Sequence, residues 1–153
     1  MNRDFSELLA AFNATDAEYL IVGAHALAAH GHVRATKDLD VWVRPTAANA
    51  ERVIRALAQF GAPLHDLTEH DLTIPGVVFQ IGVPPIRIDV ITSIDGVAFE
   101  AAWRDRVGVD LGEVRASVLS RHHLIASKRA SGRLQDLADI ERLEGSGEAS
   151  RGE

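Results

Sequence analysis

The chain has 153 residues, of which 46% are hydrophobic and 25% are charged, so its composition is that of a single globular domain rather than a disordered chain. A formal net charge of −6 argues against a surface that coats nucleic acid through general positive charge. The absence of cysteine excludes disulfide frameworks, zinc–thiolate sites and cysteine nucleophiles.

Apolar spacing and glycine positions predict alternating helices and strands. In chain order, the predicted elements are a helix (5–12), a strand (18–22), a short helix (24–30), a strand (38–43), a helix (45–60), two strands (77–82 and 86–92), a helix (97–106), a hairpin turning near Gly112 (107–119) and two closing helices (122–131 and 134–143). The interleaved strands predict an α+β fold with a small mixed sheet, helices packed on one of its faces, and C-terminal helices.

The domain is expected to span residues 1–143, and the small polar segment 144–153 is predicted to be a disordered tail. The N-terminal segment carries acids within its apolar face and lacks the continuous apolar stretch of a signal peptide. No apolar run approaches the ~18 residues that span a membrane. We therefore expect a cytoplasmic protein with no membrane partner.

Two aspartates stand one residue apart in the strand DLDVWV, where burial of a carboxylate is costly. Because side chains alternate along a strand, Asp38 and Asp40 share one face while Leu39 and Val41 point into the core. Their mutual repulsion raises the pKa of one carboxyl group or recruits a cation. A hard divalent cation with oxygen ligands, Mg²⁺ or Mn²⁺, fits such a pair best.

A second strand, IRIDVIT, repeats the pattern, with Arg87 and Asp89 on its polar face. If this strand lies beside the first, Asp89 becomes a third carboxylate at the same site. Three aspartates on neighbouring strands can hold two Mg²⁺ ions that clamp the attacking and leaving oxygens of a phosphoryl displacement. Taken alone, the Asp38 and Asp40 pair is equally compatible with solvated charges on an edge strand, and Asp89 alone is more typical of a surface residue.

The first strand ends in LIVGA and is followed by an alanine-rich helix. Backbone N–H groups after such a turn can cradle a phosphate. Alanines at these positions are equally typical of close packing between a helix and a sheet.

Together these features resemble the polymerase-β-like nucleotidyltransferase superfamily, in particular its minimal and abortive-infection-toxin-like members. The resemblance rests on the stretches YLIVGAHALAAHGHVRATKDLDVWV, PPIRIDVITSIDGVAFEAAW and LIASKRASGRLQDLADIERL, and covers about residues 18–143. It implies a metal-dependent transfer of a nucleoside monophosphate from a nucleoside triphosphate such as ATP to an acceptor hydroxyl.

The resemblance also implies roles for individual residues. Asp38 and Asp40 would be metal ligands, Asp89 would be the third carboxylate near the acceptor hydroxyl, and Gly23 would match the first glycine of the phosphate turn. The second position of that turn is Ala24, where the family usually has glycine or serine. Alanine keeps the N–H donor but lacks the hydroxyl, which bears on the strength of triphosphate binding.

Basic and polar residues near the carboxylates complete the predicted site. In related toxins a lysine and an acid from a C-terminal helical segment contribute to the site, so Lys128 is the candidate phosphate contact. The residues just before the first aspartate, which could bind phosphates or simply pair with the aspartates, are Arg34, Thr36 and Lys37. Asp136 is expected to cap the last helix or to pair with Arg133.

Three further features of the sequence bear on the predicted site. Trp42 shares the aspartates' face and could stack on a base, although a core position is the preferred interpretation. Adjacent His122 and His123 are expected to point in different directions on a helix, so they are not predicted to form a metal site. The segment from Arg121 to Arg133 is rich in basic residues and favours RNA among the acceptors.

The resemblance implies an acceptor that is either an RNA end, such as that of tRNA, or a hydroxyl of a partner protein, including a cognate toxin or antitoxin. A different class of function stays open from the sequence: a degenerate, non-catalytic nucleotide-binding or interaction module. Ala24 and the acidic net charge favour this alternative, whereas three costly aspartates oppose it.

Overall fold

The structure, a computed structural model, describes residues 2–32, 38–83 and 86–151. Its helices are α1 (Arg3–Ala14), α2 (Gly23–Ala29), α3 (Ala47–Phe60), α4 (Phe99–Arg104), α5 (Arg121–Ser131) and α6 (Leu134–Arg151), with a 3₁₀ turn at Asp71–Thr73. Its strands are β1 (Tyr19–Val22), β2 (Asp38–Val43), β3 (Val78–Val83), β4 (Ile86–Ile91), β5 (Val107–Asp110) and β6 (Arg115–Val118).

The six strands form one mixed sheet in the order β3-β4-β2-β1-β6-β5. The pairs β2–β4 and β1–β6 are parallel, and the pairs β3–β4, β1–β2 and β5–β6 are antiparallel. The predicted mixed sheet and α+β fold are confirmed. The parallel pairing of β6 with β1 joins distant parts of the chain, so a local sequence pattern does not predict it.

One face of the sheet is apolar and covered by the N-terminal helices. Leu39, Val41 and Val43 of β2 are fully buried on this face. Tyr19 lies opposite Val43 across the β1–β2 pair, and its ring packs on Phe12 of α1 at 5.2 Å between centroids. Helix α3 packs beside α1 and completes this layer.

The opposite face carries the aspartates at one end and Trp42 at the other. Trp42 is 2% exposed and contacts Phe99 of α4 edge-on, with 4.9 Å between ring centroids. The preferred interpretation of Trp42 as a core residue is therefore confirmed. Helix α4 consequently covers part of this polar face, so helices flank both sides of the sheet.

Helix α5 is delimited by local signals on both sides. Its N-cap residue Ser120 accepts a hydrogen bond from the backbone N–H of His123, and Gly132 ends the helix in the left-handed conformation. Helix α6 extends to Arg151 and so enters the segment 144–153 that the sequence assigns to a tail. That segment contains no proline to stop a helix. None of the helices within the described ranges is both long and apolar enough to cross a bilayer.

Candidate active site

Two parallel strands carry the predicted carboxylates. In the β2–β4 pair Asp40 lies directly opposite Asp89, and Asp38 lies opposite Arg87. Residues in register on adjacent strands project from the same face of a sheet, so these four side chains share one face. The predictions that the two strands are neighbours and that their aspartates face the same way are confirmed.

Arg87 lies between Asp38 and Asp89. Its Nη2 is 3.2 Å from Oδ2 of Asp38 and 3.3 Å from Oδ2 of Asp89, while its Nε is 3.1 Å from Oδ1 of Asp89. The Oδ2 atoms of Asp38 and Asp89 therefore contact the same Nη2 atom and lie close to each other across Arg87. The guanidinium supplies positive charge inside a cluster of carboxylates.

Asp40 holds its proton more tightly than an ordinary aspartate because it is buried and stands among other carboxylates. Burial is the largest cause, followed by the negative charges of Asp89 and Asp38 and a hydrogen bond with Asp89, and together they raise the pKa of Asp40 to about 6. The positive charge of Arg87 acts in the opposite direction and is the smallest of these effects. A cation bound beside Asp40 would displace this proton.

The turn at Gly23 is packed directly against Asp40. Gly23 has φ +71°, and a Cβ at this position would lie 2.3 Å from Oδ2 of Asp40. Any side chain here would occupy the space of that carboxylate, and the backbone conformation also disfavours one. The glycine therefore brings the start of α2 and the aspartate into contact, as the sequence predicts for a phosphate turn beside a carboxylate pair.

The remaining residues predicted around the turn are only partly described. Ala24 is half-buried at the second position of α2, where its backbone N–H belongs to the unpaired first turn of the helix. The predicted phosphate contacts Arg34, Thr36 and Lys37 lie outside the described residues.

Lys128 is buried and already engaged by two acids. It is 8% exposed, and its Nζ lies 2.9 Å from Oδ2 of Asp139 and 3.7 Å from Oδ1 of Asp136. Asp136 also accepts hydrogen bonds from the backbone N–H and the guanidinium of Arg133, so the predicted capping and pairing role of Asp136 is confirmed. The Arg133 contacts lower the pKa of Asp136 against the opposing effect of burial, which is larger than any single contact.

A cavity of about 110 Å³ connects Lys128 with the Gly23 turn. Val22 and Gly23 line one side, and the α5–α6 segment contributes a polar side formed by Ser127, Lys128, Ser131, Arg133 and Asp136. The cavity is too small for a whole nucleotide, but it places cationic and hydroxyl groups next to the turn.

Several basic residues of the segment from Arg121 to Arg133 are neutralised within the chain. Arg129 pairs with Glu144, Arg133 with Asp136, and Lys128 with Asp139. The expectation that His122 and His123 diverge is wrong. Their ring centroids are 4.1 Å apart and both rings approach Asp105, because the two residues stand in the first turn of α5 and both turn towards Ser120.

The structure brings two further residues, Gln80 and Arg87, next to the aspartates, and the sequence alone does not predict that they belong to the site. Gln80 of β3 lies directly opposite Asp89 and is exposed, so its side chain borders the site. The sequence pattern puts Arg87 on the polar face of its strand but predicts no function for it. The two-residue period of each strand was available as a signal, but only the register between the strands shows which residues meet.

The three aspartates offer the oxygen ligands that a hard divalent cation prefers, but among the described residues it is only Asp105, His122 and His123 whose ligand atoms all lie within 4.8 Å of one another. Asp89 is 8% exposed, and among the described residues its Oδ1 has no hydrogen-bond partner despite being buried, although the Arg87 guanidinium is close to it. A cation bound there would satisfy this oxygen and offset the repulsion that raises the pKa of Asp40. Arg87 now fills part of the space between Asp38 and Asp89.

Comparison with known proteins identifies a family for the sequence and similar folds for the structure. The sequence profile of a family described as nucleotidyltransferase of unknown function (DUF6036) matches residues 3–148. The structure resembles the lincosamide antibiotic adenylyltransferase LnuA in its lincomycin-bound form, with a TM-score of 0.59 and 12% identity, covering 94% of this chain and 96% of that one. It also resembles a protein of Thermotoga maritima provisionally described as a nucleotidyltransferase, with a TM-score of 0.56 and 14% identity, covering 99% and 92% of the two chains. No curated protein sequence matches the chain.

Proposed function

The chain belongs to the DUF6036 family of nucleotidyltransferases, and from this premise we propose that it transfers a nucleoside monophosphate from a nucleoside triphosphate to a hydroxyl group. The acceptor oxygen forms a bond to the α-phosphorus, the bond from that phosphorus to the bridging oxygen breaks, and pyrophosphate leaves. The observation that carries the proposal is the parallel register that sets Asp40 against Asp89, with Asp38 on the same face and Gly23 against Asp40.

The three aspartates are assigned to metal binding and proton transfer. Asp38 and Asp40 would hold Mg²⁺ or Mn²⁺, which supplies charge neutralisation at the phosphates and orients them for in-line displacement. Asp89 would share the metal or accept the proton of the acceptor hydroxyl. Its buried Oδ1 would perform either task once Nε of Arg87, 3.1 Å away, is displaced from it.

The triphosphate is proposed to lie beside the turn at Gly23. The backbone N–H groups of Gly23 and Ala24 would contact phosphate oxygens, and Lys128 would approach through the cavity that links it to the turn. Arg34, Thr36 and Lys37 immediately precede β2 in the sequence and remain proposed contacts from that position.

The acceptor is proposed to be a hydroxyl of an RNA end, such as that of tRNA, or of a partner protein within a toxin–antitoxin pair. Pairing of Lys128, Arg129 and Arg133 with acids removes much of the charge that favoured RNA. LnuA binds lincomycin, so a small-molecule acceptor is a third arm of the test.

Labelled nucleotides test the proposal directly. The protein is incubated with each α-labelled triphosphate and with total tRNA, the protein encoded by a neighbouring gene, or a panel of small hydroxyl compounds. We expect one acceptor to become labelled in Mg²⁺, with release of pyrophosphate, and no labelling in chelator. Nucleotide binding without transfer to any acceptor would favour a non-catalytic nucleotide-binding module, and equal binding in chelator would contradict the metal assignment.

Removal of Arg87 should strengthen metal binding. In the Arg87→Gln variant we expect Mn²⁺ to bind about tenfold more tightly, equivalent to ~1.4 kcal/mol, because a competing cation has left the carboxylates. The metal-free variant should also unfold more readily, since Asp38 and Asp89 lose their counter-ion. Calorimetric titration and urea unfolding measure the two effects.

Arg55→Gln is the matched control, because Arg55 pairs with Glu51 on the exposed side of α3, a helix that packs beside α1 on the sheet face opposite the aspartates. It should change neither quantity by more than about 0.5 kcal/mol. An unchanged or weaker Mn²⁺ affinity in Arg87→Gln would show that Arg87 does not compete with the metal.

Lys128 pairs with two buried acids and is also the proposed phosphate contact, and a double substitution separates these two roles. Lys128→Met should lower the free energy of unfolding by on the order of 3 kcal/mol, because Asp136 and Asp139 remain buried without it. Adding Asp139→Asn should restore much of this loss. If Lys128 contacts phosphate, the double variant should still bind triphosphate more weakly than the wild type in calorimetry. Wild-type affinity in the double variant would assign Lys128 to structure alone.

A further inference from the structure

A second group of metal-ligating side chains lies apart from the aspartates, where α4 ends and α5 begins. Asp105 follows the last residue of α4, and His122 and His123 stand in the first turn of α5. Among the residues that the structure describes, these three form the group of carboxylates and imidazoles whose ligand atoms all lie within 4.8 Å of one another. The proposed transfer reaction uses none of them.

The spacing of these atoms matches the ligand shell of a small metal ion. Nε2 of His122 is 3.3 Å from Oδ2 of Asp105, and Nδ1 of His123 is 3.8 Å from the same oxygen. A tetrahedral zinc ion with ligands at about 2.0–2.2 Å separates those ligands by roughly 3.3–3.6 Å. One edge already has this length, and the others need only short side-chain movements.

The orientation of the two rings is set by Ser120. Its Oγ lies 3.3 Å from Nδ1 of His122 and 3.0 Å from Nδ1 of His123. Contact with Nδ1 of His122 leaves Nε2 directed at Asp105, as is common when a hydrogen bond to one ring nitrogen selects the other as ligand. Nδ1 of His123 contacts Ser120 and also faces Asp105, so this nitrogen would exchange its contact with Ser120 for the ion. Ser120 is 5% exposed and fixed as the N-cap of α5, so it holds this arrangement from within the fold.

Exposure leaves the site accessible. The side chain of His122 is 65% exposed and that of Asp105 is 50% exposed, whereas that of His123 is 13% exposed. An ion can enter from solvent and keep water at a fourth position, as in sites with three protein ligands.

We propose that Asp105, His122 and His123 form a binding site for a transition-metal ion of the Zn²⁺ class. Two imidazole nitrogens and one carboxylate favour Zn²⁺, Co²⁺ or Ni²⁺ over Mg²⁺, which prefers oxygen ligands such as those of the three aspartates. The chain would therefore carry two metal sites of different selectivity. Bound metal would connect the end of α4 to the start of α5, the helix that holds Lys128.

Metal titration of the whole protein tests this proposal. In excess Mg²⁺, which occupies sites with oxygen ligands, Co²⁺ is added and its visible absorption is followed, since tetrahedral coordination gives intense bands. Zn²⁺ is measured by calorimetry under the same conditions. We expect one ion per chain, and a melting temperature raised by Zn²⁺.

Matched substitutions locate the ion. His122→Gln and Asp105→Asn should each weaken Zn²⁺ binding at least tenfold and abolish both the Co²⁺ bands and the thermal shift. His65→Gln should change none of these, although His65 is likewise exposed beside an acid, Asp66, at 3.5 Å. Asp40→Asn should also leave Zn²⁺ binding intact, which separates this site from the aspartates. Failure of the wild type to bind Zn²⁺, or wild-type binding by His122→Gln, would overturn the proposal.

Discussion

Substitution of Asp40 by asparagine is expected to abolish nucleotidyl transfer. The loss should reach about 10³-fold or more, equivalent to ~4 kcal/mol of transition-state stabilisation, because the variant lacks a carboxylate that is proposed to hold the metal. Asp38→Asn and Asp89→Asn should have effects of the same order. Transfer of label to the acceptor measures the loss of activity, and Mn²⁺ titration measures the accompanying loss of metal affinity.

The same substitution should not destabilise the protein at neutral pH. The pKa of Asp40 is raised from 3.8 to about 6 in the folded state, so protonation of Asp40 stabilises the fold fully below pH 3.8 and this contribution is lost as the pH rises through 6. Asparagine resembles the neutral acid at every pH. In metal-free protein at pH 7, Asp40→Asn should therefore be more stable than the wild type by on the order of 1–2 kcal/mol, with little difference near pH 4.

Urea unfolding across this pH range checks the stability effect. Asp66→Asn is the control, because the Asp66 side chain is 88% exposed and lies outside the site. It should change neither transfer nor stability. An Asp40→Asn variant that still transferred nucleotide at the wild-type rate would contradict the catalytic assignment, whereas loss of transfer through unfolding would appear in the urea curve.

Substitution of Gly23 by alanine is expected to inactivate the protein while leaving it folded. The new Cβ would stand 2.3 Å from Oδ2 of Asp40, so the carboxylate must move away from the position in which it is proposed to bind metal. The strained backbone at φ +71° should cost about 1–2 kcal/mol of stability in addition. Metal affinity and transfer should both fall at least tenfold.

Gly61→Ala separates the two effects of this substitution. Gly61 ends α3 with φ +92°, and a Cβ there would meet nothing within 4 Å. This variant should lose a similar 1–2 kcal/mol in urea unfolding but keep full metal affinity and transfer. Equal activity losses in both variants would attribute the effect to general destabilisation rather than to the contact between Gly23 and Asp40.

Metal titrations of these variants also distinguish an active enzyme from a degenerate module. Mn²⁺ binding by the wild type that is lost in both Asp40→Asn and Gly23→Ala would support a working metal site despite Ala24. Nucleotide binding that is independent of metal, and indifferent to both substitutions, would favour the non-catalytic alternative. The outcome therefore bears on function even before an acceptor is identified.

Local sequence patterns were sufficient to predict most of the helices and strands, and the face of the strand from which each candidate site residue projects. The two-residue period of DLDVWV and IRIDVIT assigns each side chain to a face, and Gly61 and Gly132 end their helices because glycine adopts the left-handed conformation without strain. These properties depend on neighbouring residues along the chain. They can therefore be read without knowing where distant segments lie.

Tertiary structure decided which of those residues meet. Strand parity leaves the register of β2 and β4 undefined, and only their pairing sets Asp40 opposite Asp89 and brings Arg87 between the carboxylates. The convergence of His122 and His123 on Asp105 likewise depends on how α5 begins beside the end of α4. Such contacts join segments far apart in sequence, and their energies arise from burial and charge proximity that exist only once the sheet and helices have packed.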